Sequence, residues 1–188
     1  MQKAPRRTSR ARAQDTFFVL LTLSGDVRAS APVYEALSRR ASEAYFKSTG
    51  TVTASLREAV LAVNADLMAR NVEGGAGYRA HVVCGALRSG EVYVAQAGAC
   101  LSWLQQSGDV AVFPDDPVDL RGRGIGANSN PDVRLTRYTV APGDILAFSD
   151  AALADAPRAR VEAALNAGAP GAVADALSRW WASRWRRW

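Results

Sequence analysis

Residues 16–23, TFFVLLTL, form an unbroken run of apolar, β-branched and aromatic positions. A run of that length suits a strand buried on both faces. Ser24-Gly25-Asp26 breaks it, and the period then becomes helical. Val33, Leu37, Ala41 and Tyr45 recur at helical spacing across residues 31–46, and Ser48-Thr49-Gly50 ends that segment. A second helix is expected to start at Ser55, where Ser55 and Glu58 match the S-x-x-E capping box. Its stripe is Leu56, Val60, Val63 and Leu67, and residues 71–77 close it. No strand separates the two helices, which predicts an αα-hairpin laid on one sheet.

From Tyr78 the period changes to two. YRAHVVCGAL and EVYVAQA are joined by Ser89-Gly90, and ACLSWLQ and VAVF by Ser107-Gly108. Both joints predict tight hairpin turns in which glycine supplies a positive φ. VRLTRYTV alternates strictly, Pro142-Gly143 turns the chain, and DILAFS follows as another buried strand. Helices over about 157–166 and 170–186 end the sequence. Segregated helices and strands predict an α+β fold, with a meander of about six strands and enough of them for two stacked sheets.

Length and charge sharpen the picture. The 188 residues fit one domain with a sizeable core. The net charge of +5 is carried by the ends. Lys3, Arg6, Arg7, Arg10 and Arg12 give the first fourteen residues +5, and Arg179, Arg184, Arg186 and Arg187 give the last ten +4. Removing both leaves about −4 for the body. A basic nucleic-acid face on the body is therefore disfavoured. The expected division is a basic disordered arm over 1–14, a domain over 15–178 and a Trp/Arg-rich tail over 179–188. No apolar run has the length that spans a bilayer, and the N-terminus lacks the apolar core of a secretory signal. Cys84 and Cys100 lie in apolar strand contexts with no CxxC pair, and His81 alone cannot complete a zinc set with them. Buried free thiols suit a reducing cytoplasm, the expected location.

Four stretches resemble the metal-dependent serine/threonine protein phosphatases of the PPM type, also called protein phosphatase 2C-like. They are FFVLLTLSGD, LREAVLAVNADLMARN, ALRSGEVYVAQAGACLSWLQQSGD and LTRYTVAPGDILAFSDAAL, within residues 15–178. The resemblance implies a four-layer α/β/β/α sandwich of two mainly antiparallel sheets flanked by helix pairs. It also implies two Mn²⁺ or Mg²⁺ ions, bridged by carboxylates, that activate a water for attack on phosphate.

The residues that would hold those ions are largely replaced. Hard divalent cations need converging oxygen ligands and negative charge. The family's bridging Asp falls on Thr22 and its following Gly on Leu23; Gly25 is kept. The Gly-Asp-Ser motif reads Gly98-Ala99-Cys100, and Ser-Asp-Gly reads Ser149-Asp150-Ala151. Asp150 is thus the one family ligand position retained, with strand-end capping as its plainer role. The expected function is a pseudophosphatase, a binding or regulatory module with no catalytic residues and no cofactor. One alternative is an active metal-dependent phosphatase with a reduced site around Asp150, aided by Asp26 or Asp144. Another is an interaction protein that binds nucleic acid or an anionic membrane through its basic tails.

Other features have ordinary readings. RGRGIG over 121–126 matches no phosphate-binding motif and predicts a flexible connection. Asp115 and Asp116 predict a solvated turn, Arg39 and Arg40 a solvated helix face, and His81 a satisfied structural histidine. Trp181, Trp185 and Trp188 fall near one helical face beside arginines, a surface for a protein partner or for self-docking. A phosphoprotein or signalling protein is the expected partner class.

Overall fold

The computed structural model describes residue 9 and residues 12–115, 124–150 and 156–185, the last six of these by their backbone. The chain clusters into two compact units, one of Met1–Cys100 with Val118–Val140 and one of Leu101–Pro117 with Ala141–Trp188.

The first unit is a sheet covered by a helix pair. Strand β1 (Thr16–Ser24) leads to helix α1 (Ala31–Lys47) and helix α2 (Val52–Gly74). Strands β2 (Arg79–Arg88), β3 (Glu91–Ala97) and β6 (Arg134–Thr139) complete the sheet, in the order β1-β2-β3-β6. All three pairings are antiparallel. Phe17 with Ala80, Val82, Cys84, Ala86, Ala95 and Ala97 forms the face that packs under α1 and α2. Those small residues let the helices come close, and the helices supply Leu37, Tyr45, Phe46, Leu56, Val63 and Leu67. Phe17 stacks on Tyr45 at 4.9 Å and meets Phe46 edge-on at 6.0 Å. On the other face Phe18 stands opposite Gly85 and lies where a side chain there would be, so glycine is the residue that fits.

The second unit holds β4 (Cys100–Gln106) from Leu101 onward, β5 (Asp109–Phe113) and β7 (Ile145–Asp150), in the order β5-β4-β7. Helices α3 (Arg158–Leu165) and α4 (Pro170–Trp185) belong with it. The expected meander therefore divides: β4 leaves the sheet of β3, and β6 takes the place beside β3. Ser89-Gly90 and Ser107-Gly108 are two-residue turns with φ of 50° and 77°, and of 52° and 95°. Positive φ at both positions is the hairpin geometry whose twist matches the flanking strands.

Two expectations are corrected. Helix α2 starts three residues before Ser55, because the Thr51 hydroxyl accepts from the Ala54 N–H and acts as the cap. Ser55 instead lies buried inside the first turn, where its hydroxyl donates to the Thr51 carbonyl and accepts from Arg12. Arg12, expected in a disordered arm over 1–14, is 1% exposed. Its guanidinium donates to the Gly50 carbonyl and the Ser55 hydroxyl, pairs with Asp15 at 3.6 Å, and lies over the Tyr45 ring. The Tyr45 hydroxyl donates to Asp15 at 2.6 Å. Burial, and then that carboxylate, push the Tyr45 pKa well above the ordinary tyrosine value. Ser9 is also tied in, its N–H donating to the Phe46 carbonyl.

Cys84 and Cys100 are free and buried, in β2 and at the start of β4. Burial, aided by Cys100, pushes the Cys84 thiol up to about 12. Because the thiolate is the reactive form, neither thiol is expected to react with an aromatic disulfide reagent at about pH 8 in the native protein. Both are expected to react once urea unfolds it, and a rapid native reaction would contradict the burial.

Candidate functional site

The positions where the resemblance places metal ligands can be built up strand by strand. In β1 the odd-numbered residues Val19, Leu21 and Leu23 pack toward the helix-covered core. Even-numbered residues, Thr22 among them, therefore project from the opposite face. The register sets Thr22 against His81 and Leu23 against Ala80. Thr22 and His81, directly opposed in an antiparallel pair, share that face. The Thr22 Oγ1 is buried and has no hydrogen-bond partner among the described residues.

The β3–β4 connection closes on the same histidine. Gly98 has φ 81°, and a Cβ there would run into the His81 Nδ1. This backbone conformation directs the Ala99 N–H to donate to His81 Nδ1 at 2.9 Å. His81 Nδ1 is thus an acceptor, which in the neutral ring leaves the proton on Nε2. The expectation of a satisfied structural histidine holds for that nitrogen. Arg134, at the start of β6, donates from its guanidinium to the Gly98 carbonyl at 2.6 Å. Its pairing with the exposed Asp132 is long, 4.0 Å. Gly124 and Ile125 flank the other side: Ile125 and Ala80 exchange backbone hydrogen bonds, and Gly124 lies against the His81 ring.

Helix α2 holds that loop in place. Asn64 donates to the Asn128 carbonyl and accepts from the Gly126 N–H. Seven residues on, Asn71 donates to the carbonyls of Tyr78 and Gly126 and accepts from the Tyr78 N–H. These two asparagines were not singled out by pattern. Their spacing of seven on one helix face was the available signal. Gly25, the one glycine kept from the first motif, has a reason to remain: a Cβ there would lie 2.9 Å from both the Ala76 carbonyl oxygen and the Tyr78 ring.

The other candidates divide by place. Asp150 is half-buried at the end of β7 in the second unit. Asp144 caps the turn before β7, accepting from the Ala141 N–H at 2.8 Å and from Gln106 at 2.6 Å. Those bonds, the backbone one first, hold its carboxyl below the ordinary range. Asp26 is exposed beyond β1, its N–H donating to the Ala76 carbonyl and its carboxylate lying against Gly77. Asp115 is exposed in a turn, and Arg39 and Arg40 face solvent on α1. Asp116, Ala151, Trp188 and the side chains of Trp181 and Trp185 lie outside the described residues.

No protein-family profile matches the chain, and no curated protein matches it by sequence. Solved structures do match in shape. PppA, described as a key regulatory component of T6SS in Pseudomonas aeruginosa, aligns with a TM-score of 0.73 at 17% identity, over 89% of this chain and 80% of that one. Stp1, a serine/threonine phosphatase from Staphylococcus aureus, aligns with a TM-score of 0.69 at 13% identity, over 92% and 80%. The catalytic domain of the serine/threonine phosphatase PstP, solved with two manganese ions, aligns at 0.67 and 17% identity, over 93% and 86%. The chain has the PPM phosphatase fold.

Within that PPM fold the donor set of the first unit does not fit a carboxylate-bridged pair of cations. A hydroxyl stands at Thr22, a methyl at Ala99, and a guanidinium is bonded to the carbonyl just before Ala99. Among the described residues, no three His, Cys, Asp or Glu side chains are grouped so as to hold a metal ion. Likewise, no helix among them is long and apolar enough to cross a membrane.

Proposed function

We propose that this chain is a pseudophosphatase: a PPM-fold module that binds a protein partner and regulates it without turning over phosphate. The observation that carries this reading is the Thr22–His81–Ala99–Arg134 arrangement. Two-metal hydrolysis requires anions that bridge the cations and offset their charge. Here both first-unit carboxylates are replaced by groups that carry no charge, and Arg134 brings a permanent positive charge to the Gly98 carbonyl. A guanidinium in that place repels a divalent ion. A regulatory role follows the precedent of PppA, a key regulatory component of T6SS whose fold is shared. The partner class proposed is a phosphoprotein or signalling protein in a reducing, cytoplasmic setting.

The competing reading, a reduced metal site that remains active, has Asp150 in its favour, together with the two manganese ions of the similarly folded PstP domain. Calorimetry and turnover decide between them. Titrating Mn²⁺ or Mg²⁺ into the full chain is expected to give no saturable heat. Release of phosphate from p-nitrophenyl phosphate or a phosphoserine peptide is expected to stay at the uncatalysed level. Metal-dependent release that Asp150→Ala abolishes would overturn the proposal in favour of the active enzyme.

A further inference from the structure

Strand β1 lies at one edge of its sheet, and among the described residues no strand pairs with its outer side. Natural sheet edges are kept short, charged, bulged or broken by proline, which stops them from templating another strand. The opposite edge, β6, follows that rule: it is six residues long and carries Arg134 and Arg137. β1 does not. Its nine residues, TFFVLLTLS, hold no charge and no proline. They face β2 one to one from Thr16 to Ser24, without a bulge. Val19, Leu21 and Leu23 are only partly buried under the helix pair, and Phe18, Leu20 and Thr22 are half-buried on the other face.

One bridge identifies the backbone groups that point outward. Ala80 and Ile125 exchange two backbone hydrogen bonds, of 3.0 and 2.8 Å. Leu23 occupies the β1 side of Ala80, so Ile125 lies on the other side. Ala80 therefore turns both its backbone groups away from β1, and Leu23–Ala80 is a non-hydrogen-bonded pair. Bonded and non-bonded pairs alternate along an antiparallel ladder. Phe17, Val19, Leu21 and Leu23 thus direct their N–H and C=O groups away from β2, along the open edge. None of the four makes another backbone bond among the described residues.

We propose that this edge pairs with β1 of a second copy of the chain, antiparallel about a two-fold axis at Leu20. The register follows from the hydrogen-bond phase and the strand's length. Only the outward-directed residues can bond one another. Centring on Leu20 sets Phe17 against Leu23 of the second copy and Val19 against its Leu21, and the whole strand takes part. Directly opposed residues share a face, so the helix-covered side joins phenylalanine to leucine and valine to leucine. The other side sets Leu20 against its own copy. An uncharged strand meets itself without like-charge repulsion, and the two four-stranded sheets become one. The two-fold closes the assembly at a dimer, because each copy uses its one unguarded edge. The inference stands apart from the pseudophosphatase reading, since an active enzyme could pair in the same way.

Sedimentation velocity of the full chain is expected to show a monomer–dimer equilibrium with a Kd on the order of micromolar. Backbone amide exchange reads which edge is used. In the dimer the Phe17, Val19, Leu21 and Leu23 amides are expected to be protected, and to lose that protection on dilution to monomer. The Phe18, Leu20 and Thr22 amides, bonded to β2, are expected to stay protected in both. Val19→Pro removes one outward N–H and leaves the bonds to β2 in place, the setting in which an edge strand tolerates proline. It is expected to stay folded and to lose the dimer. The proposal is overturned by a chain still monomeric at about 1 mM, the outcome if the edge serves a strand of a different protein. A dimer that survives in a folded Val19→Pro overturns it too, as do odd-numbered β1 amides whose exchange ignores concentration. If Val19→Pro does not fold, the wild-type sedimentation and exchange decide alone.

Discussion

Arg12→Ala is expected to destabilise the chain by about 3–5 kcal/mol, the cost of removing one partner from a buried ion pair. For a chain of this size that is a fall in Tm of roughly 10–15 °C. The magnitude follows from what the guanidinium does. It neutralises Asp15, whose side chain is 1% exposed. It also satisfies the Gly50 carbonyl and the Ser55 hydroxyl, tying the segment before β1 to the start of α2. Once it is gone, Asp15 keeps the Tyr45 hydroxyl and a 3.7 Å contact from Arg88, whose side chain is 41% exposed. That is weak compensation for a carboxylate out of water. Arg12→Lys is expected to recover only part of the loss, because an ammonium cannot reproduce the planar fork that reaches three acceptors at once. The control is the exposed Lys47–Glu43 pair, where Lys47→Ala is expected to cost less than about 1 kcal/mol. Urea unfolding of the three variants measures the contrast, and equal losses for Arg12→Ala and Lys47→Ala would refute the anchor.

The arginine also marks where pattern reading stops. Strand β3 and both hairpin turns were legible because alternation, glycine placement and turn length are local properties, and β3 runs over Glu91–Ala97 as its pattern predicts. The division of strands between two sheets was not legible. Nothing local in VRLTRYTV says that it pairs with β3 rather than with β5. An arginine in a basic, low-hydropathy stretch looks solvated, and Arg12 is buried only because acceptors 38 and 43 residues away meet it. The choice between Thr51 and Ser55 as helix cap failed for a similar reason: both are good caps, and burial of Ser55 under Arg12 decides. At the site, the absence of acids at positions 22 and 99 could be read from the sequence. The link from Ala99 to His81 and the reach of Arg134 to Gly98 could not, since both are set by sheet register.

Asn71→Leu is the second large effect expected, about 2–4 kcal/mol of lost stability, and it bears on the site as well as the fold. One side chain satisfies both backbone groups of Tyr78 and the Gly126 carbonyl. Leucine has similar bulk and good helix propensity, so α2 itself is spared, and the loss isolates the hydrogen bonds. Each buried backbone group left without a partner costs about 1–3 kcal/mol, and partial relaxation keeps the total below the sum. Gly126, at φ 101° with Leu67 and the Tyr78 carbonyl close by, leaves the loop little room to find other partners. The consequence travels to His81, because the same loop carries Ile125, paired with Ala80, and Gly124, seated on the imidazole. The Ala99 amide and the His81 ring signals are therefore expected to shift in Asn71→Leu below its unfolding midpoint. Asn71→Asp retains the acceptor for the Tyr78 N–H but turns its second oxygen, which can only accept, toward the Tyr78 and Gly126 carbonyls, so a loss at least as large as that of Asn71→Leu is expected. A full-strength fold in Asn71→Leu, with those signals unmoved, would mean that the loop is held by something other than α2.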